Sequence, residues 1–154
     1  MLNLELIFPE IFLSLSIMFL LILGVFKKNS SKMIQSISII ILFVTAVITF
    51  NETIGIEQTL LFNGSIIIDY LSSFMKIITL LSAFLVLIIS SNYLKTFKIF
   101  KIEYPILILS SVLGMMVMIS SYDLIVFYMG LELQFLALYV LATFNRDKLK
   151  SSEA

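Results

Sequence analysis

The 154-residue chain contains no cysteine, no histidine and no tryptophan, and only two prolines and five glycines. Without cysteine there is no disulfide framework, no thiol chemistry and no thiolate metal site. Without histidine the usual imidazole proton carrier and metal ligand are missing as well. Any proton chemistry therefore falls to carboxylates, lysines, tyrosines or water. Charge is scarce too: Asp, Glu, Lys and Arg make up 13% of the chain, against about 25% in soluble domains. The formal net charge is zero, and no basic surface run suggests nucleic acid as a partner. The first residues have no basic n-region and no small-residue cleavage pattern, and they carry acids at Glu5 and Glu10. They read as a retained first helix rather than a signal peptide, and the lack of an Arg-rich amphipathic leader points to synthesis in a bacterium or inside an organelle.

What is abundant is apolar surface. Hydrophobic residues make up 60% of the sequence and the mean hydropathy is +1.13, more than a water-soluble core absorbs. Crossing about 30 Å of hydrocarbon takes roughly 20 apolar residues at about 1.5 Å each. Five segments approach that length: 8–26, 33–50, 70–90, 104–121 and 124–144. Each is expected to be a helix, because lipid tolerates no unpaired backbone. The fold class expected is therefore all-α integral membrane, in a single membrane domain. Pro9 and Pro105 stand at the starts of the first and fourth helices, where a missing N–H costs least, and no proline interrupts a span. In place of tryptophan, Tyr70, Tyr93, Tyr104 and Tyr122 fall near the expected membrane boundaries.

Nine of the ten basic residues lie in the connections after odd-numbered helices: Lys27, Lys28 and Lys32; Lys95, Lys98 and Lys101; Arg146, Lys148 and Lys150. By the positive-inside rule these clusters are cytoplasmic or matrix-side and the N-terminus is outside. In the second connection, residues 59–68 place two β-prone runs around Asn63-Gly64, which suits a hairpin with a type I′ turn on the outer surface; an irregular interfacial loop is the alternative. The fourth connection is short, with Asp123 as the expected N-cap of helix five, so helices four and five should form a tight antiparallel pair. Ser110 and Gly114 give helix four a face for close packing. The tail Ser151-Ser152-Glu153-Ala154 reads as the start of a further helix, so the chain is expected to be a fragment; a disordered tail is the other reading.

Glu132 falls close to the midpoint of the fifth segment. An ionisable residue there costs on the order of 2.5 to 3.5 kcal/mol even on lenient insertion scales, so it should face protein or water and have a role. Tyr128, Leu136 and Tyr139 share its helical face, and the two phenols are candidate members of a proton path. The bland reading is a protonated glutamate that only joins helices. Lys76, in helix three, is a further candidate for the proton path. Its depth allows pairing with Glu132, but its stem can equally carry the ammonium to the interface. Asp69 and Asp123 are expected to cap helices three and five, and Gln134 to make an interhelical hydrogen bond. The methionines at 115, 116 and 118 look like packing.

The stretches Glu103-Tyr104-Pro105, Leu113-Gly114-Met115-Met116, Ser120-Ser121-Tyr122-Asp123-Leu124, Gly130-Leu131-Glu132-Leu133-Gln134 and Leu136 to Ala142 closely resemble subunit N of bacterial NADH:quinone oxidoreductase. The mitochondrial counterpart is subunit 2 of complex I. Arg146-Asp147 and the final four residues carry the likeness on; before Glu103 it is mostly hydropathic. The resemblance implies an antiporter-like bundle of about fourteen helices built from inverted repeats, of which this chain would be roughly the first third. It implies that Glu132 is the helix-five glutamate of the family, which pairs with a lysine in a later broken helix beyond Ala154, and that its charge state helps drive proton translocation. It further implies that this chain has no redox cofactor, with NADH, flavin, iron–sulfur clusters and quinone held by other subunits. The partners would be the other membrane-arm subunits and the lipid bilayer. The expected location is the bacterial inner membrane, multi-pass, or alternatively the mitochondrial inner membrane. Two other readings stand beside this one: a subunit of a multisubunit sodium/proton antiporter, and a noncatalytic membrane scaffold.

Overall fold

Backbone groups in an apolar surrounding must pair within their own segment, and the apolar runs of this chain do so as five helices long enough to cross a membrane. The computed structural model describes residues 4–27, 31–54, 57–96 and 102–143. A short 3₁₀ turn, Leu4–Ile7, leads into α1 (Phe8–Phe26), followed by α2 (Ser31–Thr53), strands β1 (Thr59–Leu61) and β2 (Ile66–Ile68), α3 (Tyr70–Thr96), α4 (Glu103–Ser120) and α5 (Leu124–Ala142). Helix α2 runs on past Phe50 through Asn51, Glu52 and Thr53, so three polar residues that end the apolar run do not end the helix. The basic residues Lys28, Lys98, Lys101, Arg146, Lys148 and Lys150, and the tail 151–154, lie outside the described residues.

Buried residues recur at helical spacing on each of the first four helices. They are Leu13, Ile17 and Leu20 on α1; Ser38, Leu42, Thr45 and Thr49 on α2; Lys76, Leu80, Ala83 and Leu87 on α3; and Leu109, Val112 and Met116 on α4. These stripes meet in one core, with α2 and α4 each touching both α1 and α3. Helices α1 and α3 thus face each other across the diagonal. The last helix is different: α5 packs chiefly on α4, and of its own residues only Gly130 and Ala137 are buried.

The α4–α5 contact is a glycine contact. A Cβ on Gly114 would stand 2.7 Å from the Gln134 nitrogen and 2.8 Å from the Gly130 oxygen, and one on Gly130 would stand 2.8 Å from the Met118 nitrogen. Only hydrogen at both positions lets the backbones approach so closely. Ser110, by contrast, spends its hydroxyl on its own helix, donating to the Ile106 carbonyl at 3.0 Å. Gln134 meets α4 through its backbone, and an interhelical amide bond comes instead from Gln35, whose Nε2 donates to the Leu87 carbonyl at 3.0 Å.

The two strands pair antiparallel, Thr59 with Ile68 and Leu61 with Ile66. The turn is not the two-residue Asn63-Gly64 turn expected from sequence. Four residues link the strands, and the left-handed dihedrals fall at Phe62 (φ 52°), Asn63 (φ 55°) and Gly64 (φ 87°), with Gly64 N–H and Ser65 N–H both donating to the Leu61 carbonyl. Register explains the shift: pairing Leu61 with Ile66 leaves Leu61 and Ile68 facing the bundle, where both are buried. Tyr122 N–H then donates to the Ser65 carbonyl at 2.9 Å and tethers the hairpin to the α4–α5 turn. Asp69 caps α3 reciprocally: Ser72 N–H donates to Asp69 Oδ1 at 2.7 Å, and Asp69 N–H donates to the Ser72 hydroxyl at 3.0 Å. Asp123 occupies the N-cap position of α5, but its side chain makes no capping hydrogen bond.

Candidate functional site

The bundle has two unlike ends. The end carrying the hairpin also carries the starts of α1, α3 and α5, and with them Glu5, Glu10, Glu52, Glu57, Asp69 and Asp123. The other end carries the basic connections. Along the core axis the chemistry changes in the same direction. Leu20, Ile34, Leu87 and Leu109 fill the basic end together with the uncharged Gln35 and Ser38, whereas the buried charges, Glu10 and Lys76, are at the hairpin end with Thr49, Ser72, Ser73 and Ser120.

Glu132 lies on α5 near its middle, half-buried. Tyr128 stands one turn earlier on the same helix, with its phenol on the Glu132 side. Tyr139 is on the same helix but stacks its ring on Phe135, with centroids 5.9 Å apart. Tyr128 and Tyr139 are 61% and 64% exposed, and Leu136 between them is exposed too. Glu132 and Tyr128 therefore stand together at the edge of an α5 face that the rest of the described chain does not cover. Beside α5, a groove of about 350 Å³ opens between it, α3 and α4, lined by Ser82, Val86, Ser111, Met115, Leu138 and Leu141.

Lys76 is elsewhere. Its ammonium is ion-paired with the Glu10 carboxylate of α1, across the diagonal of the bundle, with Lys76 2% and Glu10 9% exposed. Counted from the helix starts, Lys76 is four residues deeper than Glu10, about 6 Å at helical rise, a distance a lysine stem spans. The lysine thus does extend towards the hairpin end, as its length permits, but it finds a carboxylate in the core rather than water. Glu52, on the last turn of α2, is half-exposed and feels the charges of both Glu10 and Lys76.

Sequence reasoning missed Glu10 and Glu52 as site residues. In the sequence Glu10 counts only as an early acid that argues against a signal peptide, and Glu52 falls in the connection after the second apolar run. A signal was present in the spacing. Glu10 is three residues before Leu13 on the α1 stripe, and Glu52 continues Thr45 and Thr49 on the α2 stripe. Among the described residues no group of three or more His, Cys, Asp or Glu is arranged to hold a metal.

The fold and its buried charges define a polytopic helical membrane protein with ionisable groups inside the span. Residues 121–154 match the transmembrane family described as NADH:quinone oxidoreductase/Mrp antiporter. The chain is 62% identical over 152 residues to NADH-quinone oxidoreductase subunit N of Pelagibacter ubique, covering 99% of this chain and 32% of the relative. It is 42% identical over 149 residues to the subunit N of Paramagnetospirillum magneticum (96% of this chain, 30% of the relative) and 43% identical over 154 residues to that of Maricaulis maris (99% and 32%). Over nearly its whole length the chain is thus similar to proteins named NADH-quinone oxidoreductase subunit N, and it spans about a third of the length of the curated relatives it matches.

Proposed function

We propose that this chain forms part of a membrane-arm subunit of a proton-pumping NADH:quinone oxidoreductase, and that Glu132 takes up and releases a proton during turnover. The similarity to subunit N over nearly the whole chain carries this reading. The placement of Glu132 supports it: a carboxylate half-buried in the middle of a spanning helix, with the phenol of Tyr128 one turn away. An intramembrane acid exposed to lipid is costly. The open α5 face is therefore expected to be covered by further helices of a subunit three times this length, or by a neighbouring subunit. Electron transfer and its cofactors, NADH, flavin, iron–sulfur clusters and quinone, then belong to partner subunits, and protonation of Glu132 is coupled to it at a distance. Lys76 has no direct part in that step, because Glu10 holds its ammonium.

The test is Glu132→Ala in the assembled complex. Quinone-linked proton pumping should fall while the amount of assembled complex, measured alongside, stays near that of the parent. Normal pumping by a fully assembled variant would leave Glu132 as a helix-joining residue only. The family description also names antiporters; sodium-dependent proton exchange without NADH-linked pumping would favour that assignment. The basic connections in the sequence support, by the positive-inside rule, an orientation with the hairpin end outside a bacterial inner membrane. A reporter active only outside the cell should be silent when fused after Ala154, and activity there would reverse the orientation.

A further inference from the structure

Contacts at the basic end set the level of each helix against the next. A Cβ on Gly24 of α1 would lie 2.8 Å from Ile102 beside α4 and 3.5 Å from Ile34 of α2, and Gln35 of α2 bonds the Leu87 carbonyl of α3. These neighbours run antiparallel, so equal counts from the contacts reach equal heights at the common helical rise. Seven residues nearer the hairpin end, the register meets Ile17, Ile41, Leu42, Leu80 and Leu109, all of them buried aliphatics. Fourteen residues nearer, it meets Glu10, Thr49, Ser73 and Met116, all buried, beside a half-buried Ile48. Lys76 reaches this second layer to pair with Glu10. A dry layer and a polar one are thus stacked about 10 Å apart at helical rise. Ser120, on the same face of α4 as Met116, stands one turn further towards the hairpin and is 3% exposed.

Among the described residues, four buried side-chain atoms have no hydrogen-bond partner: Glu10 Oε2, Ser120 Oγ, Thr59 Oγ1 and Gln35 Oε1. The first three are all at the hairpin end. Thr59 shares the face of β1 that carries buried Leu61 towards the bundle, while Gln35 uses its other amide atom on α3. Lys76 engages Glu10 Oε1, so one carboxylate oxygen is paired and the other is bare. A buried polar atom in that state is ordinarily met by ordered water. Ser120 is one turn beyond the level of Glu10, about 6 Å at helical rise, a span that two hydrogen bonds of about 2.8 Å to one water bridge. The ammonium at Oε1 already balances the carboxylate and repels a metal cation. Water suits the place, because it can donate to Oε2 and either donate to or accept from the Ser120 hydroxyl.

We infer that Glu10 Oε2 and Ser120 Oγ bind a water molecule between them, so that the Glu10–Lys76 ion pair is hydrated at the hairpin end and sealed from the basic end. Towards the hairpin the layer continues through polar side chains that grow less buried: Ser72 and Ser73 are enclosed, and Asp69, Thr59 and Ser121 are half-buried. Towards the basic end it meets the aliphatic layer of Ile17, Ile41, Leu42, Leu80 and Leu109, which offers water no hydrogen bond. The hydrated pair is therefore a dead end. The water satisfies the carboxylate oxygen that the ammonium leaves bare, which lowers the cost of burying both charges, and it opens no leak across the span. The site depends on Glu10, Lys76 and Ser120, and it neither requires nor tests the role given to Glu132.

Cryo-electron microscopy of the assembled complex in lipid nanodiscs, at a resolution that shows ordered water, tests the site directly. A peak within hydrogen-bond distance of both Glu10 Oε2 and Ser120 Oγ is expected, with none among Ile17, Ile41, Leu42, Leu80 and Leu109. Well-resolved side chains with no peak between them, or with Oε2 taken by a protein donor, overturn the proposal. So does a peak ringed by the roughly six or more oxygens of a hard metal cation, and water peaks running through the aliphatic layer overturn the dead end. X-ray footprinting read by mass spectrometry is the second measurement, because it makes hydroxyl radicals from water where the water is bound. Met116 is 0% exposed, level with Glu10 and readily oxidised to the sulfoxide. It should be oxidised more than Met18, which is 61% exposed but on the outer face of α1 at mid-span. Ser120→Val puts a methyl where the water binds and should lose most of that label. Met116 labelled no more than Met18, or labelled equally in the parent and in assembled Ser120→Val, overturns the proposal. Should Ser120→Val fail to assemble, the ratio of Met116 to Met18 in the parent decides.

Discussion

Helix α5 carries Glu132, yet it is held chiefly by α4, and that contact depends on two glycines. Consider Gly114→Ala. The added methyl would lie 2.7 Å from a backbone nitrogen, and ordinary contact begins near 3.4 Å, so the helices must separate by about 0.7 Å. The opposing atoms are backbone and cannot rotate away. Overpacking of this kind costs about 1–3 kcal/mol, and the strain falls on the one interface that keeps α5 docked. Thermal unfolding in detergent should therefore shift down for Gly114→Ala. Amide exchange should speed up along α5 more than along α1 to α3, because those helices do not share the contact. Ser110→Ala, one turn away, is the control: its hydroxyl bonds only its own helix, so stability should stay within about 0.5 kcal/mol of the parent. Parental stability and parental α5 protection in Gly114→Ala would refute the glycine-contact argument.

Removing one member of the buried Lys76–Glu10 pair leaves the other charge uncompensated. Lys76→Met or Glu10→Gln alone should cost about 3–5 kcal/mol, while the double variant recovers most of that loss; additive losses in a double-mutant cycle would show that the two do not interact. Asp69→Ala removes the acceptor for Ser72 N–H and should destabilise α3 by about 1 kcal/mol. Asp123→Ala should cost clearly less, because its side chain makes no cap bond, and equal losses in thermal unfolding would contradict that difference.

Much of this protein was legible without coordinates. Five apolar runs of spanning length leave the backbone no choice but helix, and the β-branched residues at 66–68 beside a turn sequence mark a hairpin. Glu132 stood out because an acid among nineteen residues of apolar helix has few innocent explanations. Where the reading stopped short, one reason was a neighbour from another part of the chain and the other was where a helix ends. Lys76 was left between a partner on α5 and the membrane interface, because depth along one helix says nothing about which helix stands opposite. The answer, Glu10, lies on α1, which faces α3 only because α2 and α4 occupy the adjacent corners. Glu52 was hidden by its polar neighbours Asn51 and Thr53, since hydropathy marks where lipid ends and not where a helix does.

The sequence by itself determined the medium and the number of crossings, because burial in lipid is a property of composition and run length. It also determined which residues are chemically capable of proton exchange. Only the tertiary structure decided which of those residues are brought together: Lys76 with Glu10 across the bundle diagonal, and Glu132 on the open face of an edge helix. Ion pairing falls off over a few ångströms, and distances of that size between helices are set by how their side chains interlock, down to the single missing Cβ at Gly114.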